Sequence, residues 1–481
     1  MKIRNLFLLV FATFTGQILF AQSKTNLDFS NLIINQIKGA PVLSEPVMIT
    51  GKNGAIFSEG LGWAAPAFFD WDGDGKKDLL LGEFGSGAER NQYLGNFIRL
   101  FKNTGSEDNP VFDDFRYAPL AHDENIAFSG IIEDSSFPKH LVNYGTPLSI
   151  PQFCCMSIIP QFADLNNDGR PDLYAGRYSP GEVYWFRGSN VGFLPGDKLN
   201  QFGNASTKKV HTDNRSDPGN WGYWAYSAVS FGEFTGDSLL DMIVGGGQLR
   251  ISKNIGTAES PAFGKRVPLL DIDGDPIWDN SKRSTALPYV VDWDQDGILD
   301  LLVASSYTEK HEIAVQFFKG VKVKGEHRFE KGVSLFESKT GGKAFPGEYL
   351  MVFVTDWNND GINDLLVGSK LALVDGEFDE HLNWTFSSEQ NSFVGKINPG
   401  YYPDEYKSKL KAQITAAENL EKEIGVEEME NRYKVSKIRE DREMYMPSQK
   451  RILEFFGGDL RYETLIHRGY VFLLSGKKIN E

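Results

Sequence analysis

Short apolar runs punctuate the chain, and five of them follow the same kind of polar cluster. Leu79-Leu80-Leu81, Leu173-Tyr174-Ala175, Met242-Ile243-Val244, Leu301-Leu302-Val303 and Leu365-Leu366-Val367 are each preceded by an aspartate and followed by Gly or Ala. Runs this short, bounded by Gly, Asp and Asn, predict buried strands rather than helices. A helical period appears late. Tyr406, Leu410, Ile414, Ala417, Leu420 and Ile424 repeat at 3.6 spacing after Tyr402-Pro403-Asp404, Gly425 interrupts them, and a charged stretch from Glu427 ends at Pro447. Residues 402–447 therefore read as a helical hairpin, whose charge pattern suits a solvated face. His467 to Leu474 then returns to a strand pattern.

Composition narrows the class. Hydrophobic residues make up 41% of 481, aromatics 13%, and there are 49 glycines, which together lean towards an all-β architecture with many turns. Lys2 and Arg4 precede an apolar stretch from Leu6 to Phe20, and Leu19-Phe20-Ala21 is a usable cleavage site, so residues 1–21 read as a signal peptide. Its removal takes two cations and no acid, moving the net charge from −15 to −17. That sign argues against nucleic acid, which requires a basic surface. No second run is long enough to span a membrane. The expected compartment is outside the cytoplasm, periplasmic or secreted, and a monomer is expected. The two cysteines, Cys154 and Cys155, are neighbours and cannot staple distant segments.

The polar clusters share one spacing. Acidic or amide side chains fall at positions 1, 3, 5 and 9 and glycine at 6: Asp70, Asp72, Asp74, Gly75 and Asp78; Asp164, Asn166, Asp168, Gly169 and Asp172; Asp292, Asp294, Asp296, Gly297 and Asp300; Asp356, Asn358, Asp360, Gly361 and Asp364. The third copy is degenerate, with Glu233, Thr235, Asp237 and Asp241, and Ser238 in place of the glycine. Oxygens at 1, 3 and 5 of a tight loop converge on one point, and hard oxygen ligands in that number suit Ca²⁺ better than Mg²⁺. No glutamate sits at position 12 on a helix, so these loops join strands and are not EF-hands. Four complete copies predict four structural calcium ions, with the third loop left open as a fifth.

These loops, with the phrases Lys102-Asn103-Thr104-Gly105 and Lys253-Asn254-Ile255-Gly256 and the following Pro110 to Phe112 and Pro261 to Phe263, resemble the FG-GAP (VCBS-type) repeats of integrin-like β-propellers. The resemblance implies four-stranded blades over residues 22–481, each with a calcium loop between its first two strands and ligands bound elsewhere on the faces. The Pro-X-Phe phrases then read as starts of fourth strands. Counting loops gives five blades. The family is more often seven-bladed, and two blades without loops could lie in 105–160 and 370–465. The 402–447 hairpin would be inserted in the last blade, about 30 surplus residues of the first interval around Asp123 to Ser149, and Leu32 to Ile37 would close the ring. Asp271 to Asp275 imitates the loop but reads as a hairpin tip.

No HExxH, GxSxG, Walker or Rossmann pattern is present among the residues. Trp221, Tyr223, Trp224 and Tyr226 precede the third loop, and Trp63, Tyr226 and Tyr349 each stand seven residues before a loop. Such aromatics could line a ligand-binding face or pack blades together. The sequence thus points to a non-catalytic module binding a protein or carbohydrate, with a secreted polysaccharide lyase or glycosidase as the alternative.

Overall fold

Each of the five polar clusters joins two antiparallel strands, and a third and a fourth strand extend the sheet. The computed structural model describes most of residues 27–58, 63–83, 96–121, 148–150, 159–176, 183–201, 228–278, 286–305, 314–374 and 449–478, with short stretches of 377–397 and 419–423. Blade 1 comprises Ala65–Phe69, Asp78–Gly82, Asn96–Phe101 and Arg116–Tyr117. Blade 2 comprises Gln161–Ala163, Asp172–Gly176, Val183–Phe186 and Asp197–Lys198. Blade 3 is built from Val229–Gly232, Asp241–Val244, Arg250–Ser252 and Val267–Pro268. Blade 4 has Ala286–Val291, Asp300–Ser305, Val315–Phe318 and Val333–Ser334. Blade 5 has Glu348–Thr355, Asp364–Val374 and Asp459–Leu474, and its fourth strand is Val47–Met48, from the other end of the chain. The protein is an all-β, five-bladed propeller.

Side chains bridge every seam of the ring. Phe69 stacks on Phe162 at 4.3 Å between blades 1 and 2. Ser230 Oγ donates to Gln161 Oε1 at 3.3 Å and accepts from the Val290 N–H at 2.9 Å, tying blade 3 to blades 2 and 4. The Tyr289 hydroxyl donates to the Val354 carbonyl at 3.2 Å, and Lys77 Nζ to the Asp356 carbonyl at 3.1 Å, joining blade 5 to blades 4 and 1.

The second strands explain the apolar runs. Leu79 to Leu81 and Leu301 to Val303 are fully buried because neighbouring blades cover both sheet faces. The small residue that ends each run has its own reason. A Cβ at Gly368 would overlap the Ala64 carbonyl of blade 1, and one at Gly245 the Ala286 carbonyl of blade 4. The next blade's backbone occupies that space.

Two expectations are corrected. Val47–Met48 closes the ring against Phe472 and Leu473, whereas Leu32–Ile34 pairs with Phe336–Ser338 beside blade 4. Phe112 and Phe263 do not start fourth strands; each bridges back to an asparagine (Asn103, Asn254), closing a hairpin ahead of the strands at 116 and 267. On either side of 402–447 the chain forms the hairpin Leu382–Ser387/Ser392–Ile397 and the strand Gln449–Phe456. Within 402–447 only Asn419, Lys422 and Glu423 are described, all helical. Residues 1–21 and Cys154-Cys155 lie outside the described residues. The 271–275 segment is a hairpin tip, with the Asp271 N–H donating to the Asp275 carbonyl at 2.9 Å.

Candidate metal centres

All five loops take one backbone conformation. Eight residues separate the first two strands in every blade (70–77, 164–171, 233–240, 292–299 and 356–363). Positions 4 and 6 are left-handed throughout, with φ of 73° and 85° at Gly73 and Gly75, and 57° and 80° at Asn359 and Gly361. The degenerate third loop follows suit: Ser238 holds φ 66°, at a cost of about 1 kcal/mol relative to glycine.

The acids fold the loop around themselves. The position-1 carboxylate accepts backbone N–H groups from positions 5 and 6: Asp292 takes Asp296 N at 3.0 Å and Gly297 N at 2.9 Å, and Asp356 takes Asp360 N at 3.0 Å and Gly361 N at 2.8 Å. Position 5 accepts the N–H two residues on, as Asp168 does from Arg170 and Asp360 from Ile362, both at 2.9 Å. Glu233, one methylene longer, reaches the Gly236 and Asp237 N–H groups in the third loop.

Position 9 does something the spacing did not announce. Asp78, Asp172, Asp241, Asp300 and Asp364 are all essentially buried. One oxygen of each accepts the N–H of loop position 2, from 2.7 Å at Trp357 to 3.3 Å at Trp71, Leu165 and Phe234. The other accepts an N–H just past the third strand: Asn103 at 2.7 Å, Gly188 at 2.8 Å, Asn254 at 2.9 Å, Gly320 at 2.7 Å and Gly476 at 2.6 Å. The aspartate thus clasps the loop to a strand two places across the sheet. Burial pushes the Asp78 and Asp300 carboxyls up to about 6 and raises Asp172, Asp241 and Asp364 in the same direction. These donated N–H groups pull the other way without cancelling it.

Position 2 carries a large apolar side chain that plugs the loop into the next blade. Trp71 meets Phe193 at 4.9 Å, Phe234 meets Phe329 at 5.9 Å, and Trp357 meets Phe112 at 5.7 Å. Any force that sets the loop therefore also sets blade packing.

The donor set fits a hard divalent cation. Carboxylate oxygens of Asp70, Asp72 and Asp78 lie within 4.8 Å of one another, as do those of Asp292, Asp294 and Asp300. At position 3, Asp294 Oδ1 and Asn358 Oδ1 are buried with no hydrogen-bond partner among the described residues. Such orphaned oxygens cost about 1–3 kcal/mol each unless something fills the place of the lost water. Oxygen-only donors favour Ca²⁺. Asp74, Asp164, Asn166, Asp168, Asp237, Asp296 and Asp360 occupy the matching positions of the same loops.

The predicted aromatic residues divide. Trp63 and Tyr349 are brought together, stacked at 4.3 Å and 24° between blades 1 and 5. Trp63 is 6% exposed, so most of its ring is spent on packing. Tyr349 sits at a β-bulge with φ 52°, and Lys370 Nζ lies 5.2 Å from its ring centre. Trp221, Tyr223, Trp224 and Tyr226 lie outside the described residues.

No protein-family description and no curated sequence matches this chain. Among solved structures, an Agrocybe aegerita lectin recognising non-reducing terminal N-acetylglucosamine aligns over 69% of both chains, at 18% identity and TM-score 0.30. A GH43_1 enzyme from Xanthomonas citri complexed with xylotriose aligns over 69% of this chain and 86% of its own, at 11% identity and TM-score 0.36. A structure from the GH130 family, described for hydrolases targeting β-1,2 mannosidic linkages in Candida mannan, aligns over 69% and 87%, at 11% and 0.36.

Proposed function

We propose that the protein is an exported, calcium-stabilised propeller of FG-GAP type that acts as a non-catalytic binding or adhesion module for a protein or glycan. The observation that carries this reading is the inequality of the two faces. On one, the acidic loops have a single length and four of them a single hydrogen-bond pattern, which is what a repeated structural ion requires. On the other, the connections between second and third strands run from 5 residues in blade 3 to 84 in blade 5. Connections from one blade to the next run there too, from 13 residues (335–347) to 43 (118–160). Length variation collects where a scaffold presents its recognition surface. The sequence offers Trp221 and Trp224, outside the described residues, as rings suited to stacking on sugars or peptide side chains.

The test is a binding screen of the full chain against neutral and acidic polysaccharides, with Trp221→Ala and Trp224→Ala as variants. Saturable binding that either variant weakens while thermal stability holds is the expected result. Turnover of any polysaccharide by the wild type would overturn the non-catalytic reading.

A further inference from the structure

The five loops share a backbone but differ in one side chain that the repeat pattern does not include. The residue just past the third strand is Lys102, Arg187, Lys253, Lys319 or Ser475 in blades 1 to 5. In blade 4, Lys319 Nζ bonds both Asp294 and Asp296, the second at 2.6 Å, although the Asp294 side chain is only 4% exposed. In blade 1, Lys102 bonds Asp72 and reaches Asp74 at 3.2 Å. Lys253 reaches Asp237 at 3.2 Å in the degenerate loop. Arg187 turns away to Asp197 at 3.1 Å, and Ser475 has no cation to offer. Loop 2 has only Arg170, 3.6 Å from the outer oxygen of Asp168.

Among the four complete loops the lysines track the charge, whereas the degenerate third loop pairs three carboxylates with Lys253. Loops 1 and 4 hold four carboxylates, with Asp72 and Asp294 at position 3, and each has a lysine. Loops 2 and 5 hold three, with Asn166 and Asn358 at position 3, and neither has one. An ammonium group on the outer oxygens removes the repulsion a fourth carboxylate adds. It also places a fixed positive charge beside the point where the oxygens converge.

From this we infer that the loops form two classes of cation site. In loops 1 and 4, Lys102 and Lys319 are tethered counter-ions that hold the loop together when calcium leaves and oppose it when calcium binds. Loops 2 and 5 have no lysine there, only the position-3 amides, which donate to Asp168 at 3.1 Å and Asp360 at 3.0 Å, and so depend more on the metal for their shape. The inference rests on the reading of the loops as calcium sites. Its consequence falls on blade 5, because one loop without the lysine belongs to the blade that closes the ring.

The test uses the full chain stripped of metal, with calcium titrated calorimetrically and unfolding recorded in EGTA. It compares wild type, Lys319→Met and Ser475→Lys. Lys319→Met should bind calcium about fivefold more tightly at one site, the scale of one partly buried ion pair. In EGTA it should unfold about 2 °C lower than wild type. Ser475→Lys should do the reverse, weakening one site about fivefold and raising unfolding in EGTA, so the conclusion does not hang on a variant that merely folds poorly. Calcium affinities that neither variant changes overturn the two classes while leaving the calcium sites in place. If the wild type binds no calcium at all, the calcium reading itself fails, and the classes fall with it.

Discussion

The two faces of this propeller obey different constraints. On the loop face, five segments of eight residues repeat one set of left-handed positions and one buried clasp, and four of them one set of carboxylate-to-amide bonds. On the opposite face, lengths change from blade to blade. A turn packed with carboxylates can vary little, because each oxygen must meet a particular N–H or cation. A connection that only has to join two strand ends pays little for extra length, since loop-closure entropy grows with the logarithm of length. The difference teaches where to look for each property: stability on the loop face, recognition on the other.

Removing calcium should break the comparison most strongly. Each saturated site contributes about 2.7 kcal/mol when the free ion stands at a hundred times its dissociation constant. Unfolding in EGTA is therefore expected many degrees below unfolding in excess Ca²⁺, with four or five ions found by elemental analysis of the loaded protein. If calcium changes nothing and no ions are found, the loop face is merely a set of polar turns.

A smaller effect comes from the clasp. Asp300→Ala strands the N–H groups of Trp293 and Gly320 in a buried place, and a loss of about 3 kcal/mol is expected by chemical denaturation. Asp300→Asn, which keeps an acceptor, should cost less. An equal cost for both would mean the charge matters more than the bonds.

The metal-free protein should also respond to pH in an unusual direction. Asp78 and Asp300 titrate near 6 when folded, above the 3.8 of a free aspartate. The folded state then holds protons that the unfolded chain has lost, so this contribution is fully present below about pH 3.8 and is lost as pH rises through about 6. Stability in EGTA is expected to fall across that window, and saturating Ca²⁺ should abolish or invert the slope. Denaturant midpoints at pH 4, 5, 6 and 7 check it.

Least effect is expected on the other face. Replacing residues 123–146 by a short Gly-Ser linker should move stability by less than about 1 kcal/mol, since halving a connection changes closure entropy by about 0.6 kcal/mol. A larger loss would show that this face shares the structural duty of the loop face.

What the sequence disclosed follows the same division. Positions 1, 3, 5 and 9 of each loop and the buried run after it lie within fourteen residues, so their spacing alone declares the turn and the central strand. The five-bladed ring follows from counting them. The clasp was not legible, because Asp364 meets the Gly476 N–H across 112 residues and Asp78 meets Asn103 across 25. Nor was the closing strand. Val47–Met48 is two residues long, too short to show a period, and Leu32 to Ile37 offered a stronger apolar run. The place of Lys319 over Asp294 was equally hidden, since nothing in the loop itself requires a lysine 25 residues on. The Pro-X-Phe phrases were visible, but the job of Phe112, receiving Trp357 of the neighbouring loop, depends on the ring being closed.

The source of the last blade's strands sets an order of manufacture. One of its four strands is made among the first fifty residues and another only at 459–474, so a chain emerging from the ribosome carries an unfinished ring until residue 474 has been made. Until then Val47–Met48 lacks the strand it pairs with, while the inner strands of blade 5, Glu348–Thr355 and Asp364–Val374, are already made as the shared neighbour of blades 1 and 4. A polypeptide stopped before residue 476 lacks the Gly476 N–H that Asp364 accepts at 2.6 Å.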